Sequence, residues 1–231
     1  MEFSVRLPDR RLRHSESALS NYWSEFLLVA VAHLVAVASP GPDFALVLRQ
    51  SITHGRRTAV WTSVGIGSGI LLHVTYSLLG IGLLVQSSTL AFNTLKGLGA
   101  AYLAWIGFHT LRAKPRAQPA GESVTGTEQA APIPHSAFVT GFLTNALNPK
   151  ATLFFVALFS VGINPRTPHL IQAGYGLWMS LATMGWFTLV SLFFSQDRVR
   201  AAFLRHGHWF ERIMGVILLA LAFRLAVASL R

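Results

Sequence analysis

Two short stretches of an otherwise apolar chain hold the residues able to do chemistry. Residues 38–48 read ASPGPDFALVL and residues 145–157 read NALNPKATLFFVA. Each couples proline, which removes a backbone donor and clashes with the preceding turn, to a charge, Asp43 or Lys150. A carboxylate at the centre of a membrane helix costs about 3 kcal/mol, so its presence needs a reason. Ser39, Pro40, Gly41 and Pro42 break the first run, and a new half-helix starts near Asp43 at the positive end of its own dipole. Asp43 can cap that end, take up a proton or bind a substrate ammonium. Pro149 frees carbonyls around Asn145, Asn148 can donate and accept, and Lys150 can hold a carboxylate, with Asn145 and Asn148 as polar lining able to bind the same substrate or ion. A zwitterionic amino acid needs an anionic and a cationic contact about one residue apart, and Asp43 and Lys150, brought together by pseudo-symmetry, would supply both. Blander roles stay open. Asp43 can serve as a cap or as an ion-pair partner of Lys150, Lys150 can snorkel toward an interface, and the two asparagines can satisfy broken backbone. His33 and His73 titrate near neutrality and so can relay protons, or can be hydrogen-bonded structural residues.

The elements that must position these groups follow from composition. Of 231 residues 52% are hydrophobic and only 12% charged, about half the usual charged share of a soluble domain. With a mean hydropathy of +0.48, the class is an all-α polytopic membrane protein. A spanning helix needs about 20 mostly apolar residues, and six segments qualify, at roughly 23–48, 58–85, 89–111, 136–161, 170–194 and 211–230. The polar stretch 112–135, rich in Pro, Gly, Ser and Thr, is expected to be a flexible loop dividing the transporter domain 22–231 into halves 22–111 and 136–231. The first helix of each half is broken at a similar depth. Because three spans per half is an odd number, the halves must insert with opposite topology, which is an inverted repeat. Residues 1–21 form a polar, basic tail expected to be disordered, with translation starting near Leu19 as one expectation.

Charge placement narrows function further. The formal net charge of +10 sits between hydrophobic segments and in the tail, not in one stripe with interleaved aromatics. That pattern fits the positive-inside rule and excludes nucleic acid as a partner. Ten basic residues, from Arg49 to Arg212, fall in connections 1–2, 3–4 and 5–6, so that face is expected to be cytoplasmic and both termini outside. There is no cysteine, no HExxH, GxSxG or P-loop, and no cluster of metal-ligating residue types. No enzyme activity, cofactor or metal is therefore expected, and any pumping must use an ion gradient. Gly65 and Gly69, and Gly97 and Ala101, are spaced for close helix packing.

The stretches SPGPDFALVLRQSITHGRRTAVWTSVGIGSGILLH, KGLGAAYLAWIGFHTLR and GFLTNALNPKATLFFVALF resemble the lysine/threonine exporter (LysE/RhtB) family of bacterial inner-membrane amino-acid efflux proteins. The likeness runs from about Tyr22 to the C-terminus. It implies six helices, a multi-pass inner-membrane location and secondary export, by antiport, of amino acids or close derivatives coupled to proton entry. By motif it places Ser39, Pro40, Gly41, Pro42 and Asp43 in the first break and Asn148, Pro149 and Lys150 in the second. The expected partners are an amino-acid-like small molecule, a proton or other coupling ion and the lipid bilayer, with a homodimer left open. Two alternatives stand beside this reading: a membrane-embedded structural or assembly partner without cargo and, less favoured, an intramembrane enzyme.

Overall fold

A computed structural model describes the backbone of residues 10–113, 133–194, 196, 207–209, 211–220, 222–223 and 227, and all of these that adopt regular structure are helical. The start of the tail (1–9), most of the expected loop (114–132) and the basic connection holding Arg198, Arg200 and Arg205 lie outside the described residues. In chain order the helices are α1 (Arg10–Ala38), α2 (Pro42–Thr53), α3 (Gly55–Ser87), α4 (Thr89–Leu111), α5 (Pro134–Ala146), α6 (Pro149–Ala157) and α7 (His169–Phe193). A π-helical turn, Leu158–Gly162, continues α6.

Proline decides most of the boundaries. Pro42, Pro134 and Pro149 each sit in the first turn of a helix, where the missing N–H has no intrahelical partner to lose. Gly55, the sole positive-φ residue described (φ 79°), turns the chain between α2 and α3. Ser88 caps α4 by accepting from the Ala91 amide at 3.1 Å.

Among the described residues, Ser20–Ala38, Gly55–Gly80 and His169–Phe193 are long and apolar enough to cross a membrane. Pro134–Ala146 and Pro149–Gly162, bent by 55° at their break, make a fourth span if counted as one. The six spans expected from sequence are thus seen in part: α4 matches the expected third segment, and the sixth is described only in pieces. α1 starts at Arg10, so it includes much of the segment read as a tail.

Side-chain partners give the helix directions. α1 and α7 run parallel, since Tyr22 meets Tyr175 and His33 meets Thr183. α3 and α5 also run parallel, with Thr62 beside Gly141 and Gly69 beside Asn145. α3 and α7 are antiparallel, through Ser63 with Ser191 and Gly67 with Ser180. The contacts need small residues. A methyl group at Gly65 would overlap the Phe138 carbonyl, and one at Gly141 the Thr62 carbonyl, so the backbones of α3 and α5 touch directly.

Buried apolar side chains of this bundle gather in clusters, of which two matter for the site. One gathers Val29, Phe154, Phe155, Phe159, Tyr175 and Met179. The other gathers Phe44, Ile66, Phe187 and Val190.

Candidate functional site

The two breaks face each other. α1 ends at Ala38, and α2 starts with Gly41 as N-cap, Pro42 next and Asp43 in the first turn. α5 ends at Ala146, and α6 starts with Asn148 as N-cap, then Pro149 and Lys150. Both half-helices therefore begin with a cap, a proline and a charge. Gly41 offers no side-chain cap, whereas Asn148 Oδ1 accepts from the Lys150 amide at 3.0 Å.

Each charge is bound by the opposite break. Asn145 Nδ2 and Asn148 Nδ2 donate to Asp43 Oδ2 at 2.8 and 3.2 Å. Lys150 Nζ donates to the carbonyls of Ser39 and Pro40 at 3.1 and 3.3 Å. This differs from the ion pair considered as one reading of the sequence. The ammonium has gone to carbonyls beyond the last turn of α1, and no Asp43–Lys150 ion pair forms among the described residues. The dipoles explain the arrangement. A carboxylate suits the N-terminus of α2, but a cation at the N-terminus of α6 is misplaced by its own helix and gains from the negative C-terminal end of another. Gly41 lies against the Lys150 side chain, where a methyl group would make ordinary contact 3.4 Å from Nζ.

Other helices hold the breaks in place. Pro149 cannot donate to the Asn145 carbonyl. That carbonyl instead accepts from the Asn148 amide at 2.9 Å and from His73 Nε2 at 3.0 Å. A carbonyl only accepts, so Nε2 of His73 carries a hydrogen, and in the neutral ring Nδ1 accepts from the Tyr76 hydroxyl at 2.5 Å. His33 is fully buried, with Nε2 at 3.0 Å from the Met179 carbonyl and 2.9 Å from the Thr183 hydroxyl. Phe155 packs on both histidines, stacked on His73 and edge-on to His33.

Between the breaks lies a cavity lined by His33, Ser39, Gly41, Asp43, Asn145, Asn148, Lys150 and Thr183, together with Phe44, Phe154, Phe155 and Phe187. Centres of water-sized spheres sweep ≈ 50 Å³ of it, several times the roughly 10–15 Å³ that one water needs. Small polar matter fits there. Of the residues singled out from sequence, His33, Ser39, Gly41, Asp43, Asn145, Asn148 and Lys150 share this wall. His73 stands behind it, held to Asn145. Pro40 and Pro149 line a second, more apolar groove with Tyr102, Trp105 and His109, and Ser39 and Lys150 border both spaces. Pro42 starts α2 beside them.

Sequence reasoning missed Thr183, Tyr76 and the phenylalanine wall, and it read Gly69 only as a packing residue. Thr183 had a weak signal, as a hydroxyl on an apolar helix. Gly69 had none, because its role depends on the Asn145 side chain lying against it.

A family model described as "LysE type translocator" matches residues 34–229. The chain is 29% identical over 203 residues to the "Threonine efflux protein" of Salmonella typhi, covering 88% of this chain and 98% of that one. To the protein of the same description from Escherichia coli K12 it is 28% identical with the same coverage. To the "Homoserine/homoserine lactone efflux protein" of Salmonella typhimurium it is 34% identical over 151 residues, 65% of this chain and 69% of that one. No solved structure matches the chain. With the family model spanning both breaks and most of the helices, the chain belongs to the LysE type translocator family and is a membrane transporter, not an enzyme.

Proposed function

We propose that this protein is a secondary exporter of small amino acids or their close derivatives across the bacterial inner membrane, driven by proton entry. The observation that carries the reading is the exchange of charges between the two breaks: Asp43 held by Asn145 and Asn148, Lys150 held by Ser39 and Pro40, with one cavity between. Unwound backbone inside a membrane is tolerated where it lines protein or a water-filled cavity, and paired breaks in the two halves of a chain point to a substrate site near the midplane. The efflux proteins for threonine and homoserine among its relatives support the cargo class.

In this account Asp43 is the carboxylate that meets the cargo ammonium or the coupling proton. Lys150, with one N–H left after its two carbonyl bonds, is the contact for the cargo carboxylate. Asn145 and Asn148 position Asp43, and His33 and His73 are the groups available to pass a proton toward the cavity. Six spans as two inverted three-helix repeats complete the architecture. The helix directions support this, with α4 antiparallel to α6 through Gly99 beside Ala157 and Tyr102 beside Lys150, as does the 23-residue length of α4, about 34 Å at 1.5 Å per residue.

The test is efflux from preloaded cells. Cells expressing the chain should lose labelled L-threonine or L-homoserine faster than vector controls and should tolerate toxic excess of the exported compound. Equal loss across a panel of amino acids and analogues overturns the reading in favour of a membrane partner without cargo.

A further inference from the structure

The buried side-chain atoms of the cavity residues that lack a partner, Asp43 Oδ1, His33 Nδ1 and Asn145 Oδ1, are all acceptors. Asp43 Oδ2 takes both asparagine donors, and Oδ1 is buried without a partner. His33 Nε2 faces the Met179 carbonyl and so carries the ring hydrogen, which makes Nδ1 an acceptor, and Nδ1 is also buried without a partner. Residues 40 and 42 are prolines, so the carbonyls of Ala36 and Ala38 lose the amides four residues on. In the second break the matching loss at Asn145 is repaired by His73 and by the Asn148 amide. No described side chain does this for Ala36, which lines the cavity one turn from His33. A buried acceptor without a donor is costly, and the residues that carry these acceptors, His33, Ala36 and Asp43, line one cavity.

We propose that the cavity recognises its cargo through an unsubstituted primary ammonium, whose three hydrogens are taken by Asp43 Oδ1, His33 Nδ1 and a carbonyl freed at the end of α1. This rests on the export reading and adds its selectivity rule. N-acylation removes charge and donors together. N-trimethylation keeps the charge and removes every donor, so it separates hydrogen bonding from simple attraction. The carboxylate end is held less firmly, because Lys150 already spends two hydrogens on Ser39 and Pro40. An ester or lactone of the same amino acid therefore remains a good ligand.

The test uses inside-out vesicles from cells expressing the full chain, with uptake of labelled L-threonine and L-homoserine. Unlabelled competitors are L-threonine, its methyl ester, its N-acetyl form and its N,N,N-trimethyl form. The ester should compete within about threefold of threonine, and the acetyl and trimethyl forms about tenfold or more worse, as expected when a site built to hydrogen-bond a group is denied it. His33→Gln keeps an amide in reach of Met179 but offers nothing at the Nδ1 position. It should raise the half-saturating concentration about tenfold at unchanged membrane insertion, and His33→Asn, which can place an oxygen there, should recover part of the loss. A trimethyl form that competes as well as threonine overturns the proposal while leaving export intact, and so does an inserted His33→Gln with wild-type saturation. Uptake that requires sodium, with a sodium dependence shifted by His33→Gln, also overturns it, because the acceptors would then hold the ion. Vesicles that accumulate neither amino acid above the vector control overturn the export reading and this one with it.

Discussion

A methyl group at Gly69, which is not part of the cavity wall, should disable the site. In Gly69→Ala the new Cβ would lie 2.6 Å from Asn145 Oδ1, which falls 0.8 Å short of the 3.4 Å of ordinary contact, and it would also crowd Asn145 Cβ and Cγ at 3.0 and 3.1 Å. The Asn145 backbone cannot yield freely, because its carbonyl is tied to His73 and to the Asn148 amide. The side chain must therefore turn or retreat. A retreat of that size takes its 2.8 Å bond to Asp43 beyond hydrogen-bonding range. A hydrogen bond to a charged group is worth about 1.5–3 kcal/mol, so export should slow by about 10- to 150-fold. The control is Gly80→Ala on the same helix, where nothing lies within 4 Å. The assay is the initial efflux rate of labelled amino acid from preloaded cells, normalised to the amount of each variant in the membrane. Alanine favours helix over glycine by about 1 kcal/mol, so neither change should hinder insertion by itself. If Gly69→Ala is inserted and exports like Gly80→Ala, then Asn145 does not hold Asp43 for function.

Three further outcomes follow from the same geometry. Gly141→Ala drives a methyl group into the Thr62 carbonyl of α3 and should destabilise the detergent-solubilised protein by about 1–3 kcal/mol, read as a lower thermal midpoint than that of Gly185→Ala, where nothing lies within 4 Å. His73→Phe keeps a ring to stack on Phe155 but removes the donor to the Asn145 carbonyl. It should cost about 1 kcal/mol of stability and slow export; normal values for both would show that the second break needs no support from α3. The chain has no cysteine, so single introduced cysteines report topology cleanly. Arg166→Cys should react with an impermeant maleimide in intact cells and Arg112→Cys only after permeabilisation, and the reverse would invert the orientation.

Sequence alone showed where the helices break but not how the breaks meet. Pro42 and Pro149 act within one turn, so their effect is local and legible, as are α4 and the bounds of α7. The pairing of Asp43 with Lys150 was plausible from charge alone. The choice of Lys150 for the Ser39 and Pro40 carbonyls depends on how α1 and α6 approach each other, which no periodicity encodes. The sequence leaves Asn145 either as polar lining of the site or as a residue that satisfies broken backbone; its side chain reaches Asp43, while His73 attends to its carbonyl. The size of the bend between α5 and α6, 55°, and the π-helical turn after α6 are likewise not stated by the local residues, although Pro149 marks where the break falls.

The central claim is that the two breaks together form the cargo site. The most direct measurement is efflux of a cargo amino acid from preloaded cells carrying wild type, Asp43→Asn or Lys150→Ala, at matched amounts in the membrane. Asp43→Asn keeps the shape and the two asparagine contacts near Oδ2 but removes the charge. Lys150→Ala releases the carbonyls of Ser39 and Pro40. The account predicts that both variants insert and that each lowers the efflux rate about tenfold or more. Normal export by both inserted variants would contradict it.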